Sequence, residues 1–168
     1  MNTSYKSENQ ITSSALKELQ RLSFENKRIK YPNVPIDSIP QTKYSDKTAN
    51  GLTRCIIDFL NLKGWQAERV NNTGRMIDTR ETFIDSIGRT RTIGGVQWIK
   101  GTGTDGTADI SATVNGKSVK IEVKIGGDRQ SAKQKEYQSK IEGAGGIYVI
   151  AKSFHEFFAW YNKSFAGA

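Results

Sequence analysis

The chain has 168 residues, 36% hydrophobic and 25% charged, which allows one domain with its own core plus an extension, but not a second full domain. A lone cysteine (Cys55) excludes an internal disulfide and a cysteine-rich zinc site, and no apolar stretch fits a signal peptide or a membrane helix, so a cytoplasmic setting is expected. The 25 Lys and Arg against 17 Asp and Glu leave a net charge of +8, spread along the chain, which suits a shaped face for a polyanion such as nucleic acid.

Residues 1–45 are polar and hold all three prolines, Pro32, Pro35 and Pro40. Leu16, Leu19 and Leu22 stripe a short helix there, and the segment reads as an arm packed on the domain or on a partner, with partial disorder as the alternative. The domain proper spans 46–168. Leu52, Cys55, Ile56, Phe59 and Leu60 recur at helical spacing, and Gly64 ends that helix. Residues 65–70 read as a strand and 71–75 as a turn or loop. Residues 82–100 read as one or two short hairpins, broken at Gly88 and at Gly94-Gly95. Residues 107–114 and 117–125 alternate apolar and polar around Asn115-Gly116, the pattern of a hairpin closed by a type I′ turn. A helix over 131–143 and a short buried strand over 146–151 follow. Phe154, Phe157, Phe158, Tyr161 and Phe165 then stripe a last helix whose aromatic face belongs in the core. This order predicts an α/β fold of the α+β type, a small mixed sheet flanked by helices.

The hairpin carries the chemistry. With Asn115 and Gly116 as the turn, paired positions sum to 231, so Ser111 faces Lys120 and Asp109 faces Glu122. Side chains alternate along a strand, so these residues and Lys124 share one side. Two carboxylates placed opposite each other destabilise a sheet, unless one stays protonated or a cation lies between them. Hard oxygen ligands at that spacing suit Mg²⁺ or Mn²⁺, and Lys124 could orient a water or offset developing charge. The plainer alternative is a solvated face of Lys120, Glu122 and Lys124. Asp105 is a rival ligand, although Asp followed by Gly more often makes a turn. The small residues of 101–106 would let a backbone approach a sugar-phosphate chain. Cys55 reads as inert core and His155 as structural or surface. Trp65 and Trp98 read as core in preference to stacking on a splayed base.

Gly106-Thr-Ala-Asp109, Glu122-Val-Lys124 and a following helix with Ser131-Ala-Lys-Gln134 resemble the core of the PD-(D/E)XK nucleases. With the helix ending at Gly64, Arg69-Val-Asn-Asn-Thr-Gly74 and the strand at 146–151, residues 47–152 are similar to the VRR-NUC family, in its small stand-alone forms carried by bacteriophages. The resemblance implies a restriction-endonuclease-like core and Mg²⁺-dependent hydrolysis of DNA phosphodiesters. Asp109, Glu122 and the Val123 carbonyl would be metal ligands, with Lys124 a base or stabiliser. Ser131 and Gln134 also form a capping box, leaving Gln134 open between helix cap and site. Small stand-alone members of the family act as homodimers on branched DNA, like Holliday-junction resolvases, and larger relatives act on flaps. Arg69, Arg75, Arg89, Arg91 and Lys100 flank the site in sequence as candidate phosphate contacts. The family's acidic residue near the start of the first helix is replaced here by Thr48, Ala49 and Asn50, and Asp46 reaches in only if the helix starts early. The expected function is a Mg²⁺-dependent endonuclease, with a non-catalytic DNA-binding module on a decayed nuclease fold as the alternative.

Overall fold

Four α-helices and eight strands form among the described residues of this computed structural model, which are 4–72, 74–101 and 103–165, with helix backbone only for 4–13. Thr73, in the expected 71–75 turn, and Thr102, in the glycine-rich approach, lie outside them. Helix α1 (Ser4–Lys30) is longer than the short helix its leucines suggest. On its exposed face Arg21 bridges Glu18 at 2.7 Å and Glu25 at 2.5 Å, spacings that favour helix. On its inner face Ala15 and Leu19 are buried in the domain core. The segment therefore packs on the domain, against α2 (Ala49–Leu62) and α4 (Phe154–Phe165). Thr48 caps α2 by accepting the Gly51 N–H at 3.1 Å, and the whole stripe from Leu52 to Leu60 is buried.

Strands β1 (Gln66–Arg69), β6 (Ile110–Val114), β7 (Lys117–Val123) and β8 (Ile147–Ala151) form one sheet in the order β1-β6-β7-β8. The first three run antiparallel, and β8 returns parallel to β7 after helix α3 (Ala132–Gly143), which makes the sheet mixed. Asn115 (φ 48°) and Gly116 (φ 74°) supply the positive φ angles of the type I′ turn. The resulting register sets Ile110 opposite Ile121 and Val114 opposite Lys117, as the sequence implies. Ile110, Ala112, Val114, Val119 and Ile121 point into the core, where the Phe59 ring meets Phe154 and Tyr161 edge to face. Helix α3 packs on β8, and its Gln134 reaches the polar side of the hairpin at Glu122. The fold is the mixed α/β arrangement expected, a small sheet between helices.

Residues 75–99 differ from the expectation of one or two short hairpins. Strands β2 (Arg75–Asp78) and β5 (Val96–Ile99), with β3 (Glu81–Ile84) and β4 (Thr90–Ile93), make one long ribbon. Arg75 pairs with Ile99 and Ile84 with Thr90, and both pairs sum to 174, so a single register runs its length. Thr79 and Gly95 carry it across the break, the Thr79 N–H donating to the Gly95 carbonyl at 3.0 Å. Gly94-Gly95 is thus a joint within a strand. Only Gly88 lies in a turn, where the Asp85 carboxylate accepts the N–H groups of Ile87 and Arg89. No ribbon side chain joins the core. Trp98 is accordingly not a core residue: it is 62% exposed. Trp65 does pack on the core and donates its ring N–H to the Tyr161 hydroxyl at 2.7 Å.

Candidate active site

Asp109 stands one step before β6, where its carbonyl accepts the Val70 N–H at 2.8 Å. Its carboxylate Oδ2 accepts the N–H of Val123 at 2.9 Å, so the side chain reaches across to β7 beside Glu122. Ser111 and Lys120, the next facing pair on this side, are joined by a 2.6 Å hydrogen bond.

Glu122 is only 2% exposed, so the solvated-face reading fails for it. Three side chains answer its charge. The amide Nε2 of Gln134 donates to Oε1 at 2.5 Å, the Lys124 ammonium lies 3.1 Å from the same oxygen, and the Tyr148 hydroxyl donates to Oε2 at 3.4 Å. Burial pushes the Glu122 carboxyl above its ordinary range, and the neighbouring Asp109 charge adds to the rise; together these outweigh the opposing pull of Lys124 and Tyr148. Burial alone would lower Lys124, but bonds to Glu122 and to Asp128, 3.4 Å away, hold its ammonium above the usual lysine range. The two partners thus both shift upward: the ion pair secures the lysine's charge, while desolvation strains the carboxylate's.

Gln134 fills both roles left open for it. Its Oε1 accepts the Ser131 N–H at 2.9 Å while Ser131 Oγ accepts the Gln134 N–H, closing the capping box. That geometry leaves Nε2 as the free end of the amide, aimed at Glu122. The start of α3 is set against the 103–107 loop by Gly106, which has φ +81° and where a Cβ would stand 2.5 Å from the Lys133 backbone. The glycine is needed for helix packing, a reason the sequence reading did not give. Asp105 is tied to Lys133 and, at 3.3 Å, to Lys100, and these lysines hold its carboxyl below the usual range. It lines the same depression as Lys100 and Gln134, with its oxygens taken by the two lysines.

Asp46 does not reach the site: its Oδ2 accepts the Phe154 N–H at 3.0 Å and so caps α4. Among the described residues, no group of three or more His, Cys, Asp or Glu side chains is placed to hold a metal ion. Asp109 and Glu122 are nevertheless a suitable hard-oxygen pair, since Mg²⁺ keeps several waters and takes only one or two carboxylates. The field of Asp109 at Glu122 is the charge a bound cation would neutralise.

Of the expected phosphate contacts, Arg69 lines a depression of about 490 Å³ together with Asn72, Thr107 and Asp109. Lys100 borders a second one of about 500 Å³ with Asn72, Gly106 and Gln134. Arg75 stands at the base of the ribbon and Arg89 and Arg91 at its far end, Arg91 held to Asp85 at 2.8 Å. The structure therefore sets Arg69 beside Asp109 and Lys100 in the depression that Gln134 also lines, and carries Arg89 and Arg91 away along the ribbon. Two residues at the site escaped the sequence reading, Tyr148 and Asp128. A tyrosine in a buried strand must place its hydroxyl against a polar partner, which was the available signal for the first; the second had none. Compared with known proteins, the chain matches no family model and no curated protein.

Proposed function

We propose that this protein is a Mg²⁺-dependent endonuclease that hydrolyses phosphodiester bonds in branched or structured DNA. The observation that carries the proposal is Glu122: a carboxylate 2% exposed, beside Asp109, and held by Lys124, Gln134 and Tyr148. A fold gains little stability from a buried charge cluster of this kind, so function is the better reason for it. Asp109 and Glu122, with the Val123 carbonyl, would hold Mg²⁺, and Mn²⁺ would substitute. When bound, such a cation polarises a phosphoryl oxygen and eases deprotonation of water.

The chain's own groups supply the rest. Gln134 and Tyr148 fix the Glu122 carboxylate in one orientation. Lys124, charged and anchored between Glu122 and Asp128, presents its ammonium to the attacking water or to the charge that grows on the phosphoryl oxygens. Arg69, on the rim beside Asp109, positions the phosphate. One chain carries one such site, so paired cuts at a junction need a homodimer.

A second reading, a DNA-binding module without catalysis, draws on one observation: Thr48 and Asp46 are both spent as helix caps, so the start of α2 adds no carboxylate to Asp109 and Glu122. Cleavage of labelled duplex, single strand, 5′ flap and four-way junction, in Mg²⁺, Mn²⁺ or EDTA, separates the two. Cutting that needs metal and is lost in Glu122→Ala supports the nuclease. DNA binding without cutting, indifferent to EDTA and to that substitution, would establish the binding module.

A further inference from the structure

The ribbon presents a large apolar surface that the nuclease reading leaves unused. Met76 and Trp98 are cross-strand partners at its base, 66% and 62% exposed, so both project from one face. The Trp98 ring lies against the backbone of Gly74, where a Cβ would come within 2.9 Å of it. The ring is thus backed by main chain and bares the rest of its surface. Buried behind nothing, such a pair is costly to leave in water, and a two-stranded ribbon has no core of its own to justify it.

The base of the ribbon adjoins the candidate active site. From β2 the chain leads back to Asn72, and from β5 forward to Lys100; Asn72 borders both depressions beside Asp109 and Gln134. The charge there is also distinctive. Lys100, two residues beyond Trp98, falls on the same side of the ribbon, with the exposed Asp105 3.3 Å from it, whereas Arg80 and Arg91, farther along, are closely paired to Asp78 and Asp85. A solvent-exposed cation beside an exposed aromatic face is the combination that holds single-stranded nucleic acid, phosphate on the cation and base on the ring.

We infer that the Met76–Trp98 face is a stacking platform for an unpaired nucleotide next to the site of cleavage. Lys100, on the Trp98 side of the ribbon, holds a flanking phosphate, and the favoured substrate has unpaired bases beside the scissile bond. Bases in an intact duplex are stacked on one another and do not offer a free face to the ring. The inference rests on the nuclease reading for what happens to the strand afterwards, but the binding it describes can be measured without metal.

The test uses the full chain in EDTA, with fluorescein-labelled forked DNA bearing unpaired arms and a blunt duplex of equal length. Binding is read by anisotropy and by quenching of tryptophan emission. The expected result is tighter binding to the fork. Trp98→Ala should weaken fork binding about 10-fold and leave the duplex unchanged, while Trp98→Phe restores most of the loss. An unchanged melting curve confirms that the exposed substitution leaves the fold intact. Fork affinity equal to wild type in Trp98→Ala overturns the platform. So does a dimer in sedimentation that Trp98→Ala dissolves without affecting fork binding, which would show that a second copy covers this face. If the fork-specific loss is seen but no metal-dependent cutting is found, the platform stands and the nuclease reading falls.

Discussion

A carboxylate taken out of water costs several kcal/mol unless its partners answer the loss. Glu122 has three such partners, and the sequence showed two of them in different ways. Lys124 was legible because it lies two residues along the same strand, where alternation alone sets its side. Gln134 was ambiguous because the same three-residue spacing serves a helix cap, and the structure resolves this by using both ends of one amide. Tyr148 was not legible at all: it comes to Glu122 through a parallel pairing of β7 with β8, which no local pattern specifies. Cys55 shows the plainer case. Burial, with Asp46 adding to the effect, pushes its thiol up to about 12. The folded value lies above the ordinary 9.0, so the neutral thiol favours the fold below pH 9, and that contribution is lost as pH rises toward 12. Iodoacetamide at pH 8 should therefore label Cys55 only at the rate of unfolding; rapid labelling of folded protein would contradict its burial.

Helices and strands were readable to the extent that each buries its own stripe. Helix α2, the β6-β7 hairpin and α4 fall where periodicity and turn chemistry put them. Helix α1 was underestimated because most of its residues are polar, and a helix of polar residues is held by ion pairs and docking rather than by a visible stripe. The ribbon was misjudged for a related reason. Gly94-Gly95 looks like a turn in isolation, but the pairing of Thr79 with Gly95 makes it a joint in a longer strand. At Gly106 the 103–107 loop and the first turn of α3 meet main chain to main chain. Gly106→Ala should cost about 1–3 kcal/mol through its positive φ alone, with a further loss from displacing the end of α3 that carries Gln134. A urea titration will show this as a lower midpoint; an unaltered midpoint would mean that the loop and helix do not press together.

At the scale of the molecule, the polar arm and the domain share one core. Leu19 of α1 is 0% exposed and belongs to the same cluster as Phe59 and Phe154. Leu19→Ala should destabilise the whole chain by about 2–5 kcal/mol, seen in calorimetry as one transition at lower temperature. A separate early transition with the main one unmoved would make the arm an independent unit. The ribbon shares nothing with that core, and most of its apolar residues stay in solvent. No helix among the described residues is long and apolar enough to cross a membrane.

The sequence by itself determined the elements whose information is local. These were the stripes of α2 and α4, the type I′ turn, and through that turn the register that sets Asp109 and Glu122 on one side. Turn geometry and side-chain alternation act over a few residues, so no distant contact was needed to read them. Tertiary structure alone decided how Glu122 is compensated, that Asp46 caps α4 rather than serving the site, and that Trp98 stands in solvent. Each of these depends on which surfaces meet after the chain has turned back on itself, and burial and charge compensation are properties of that meeting.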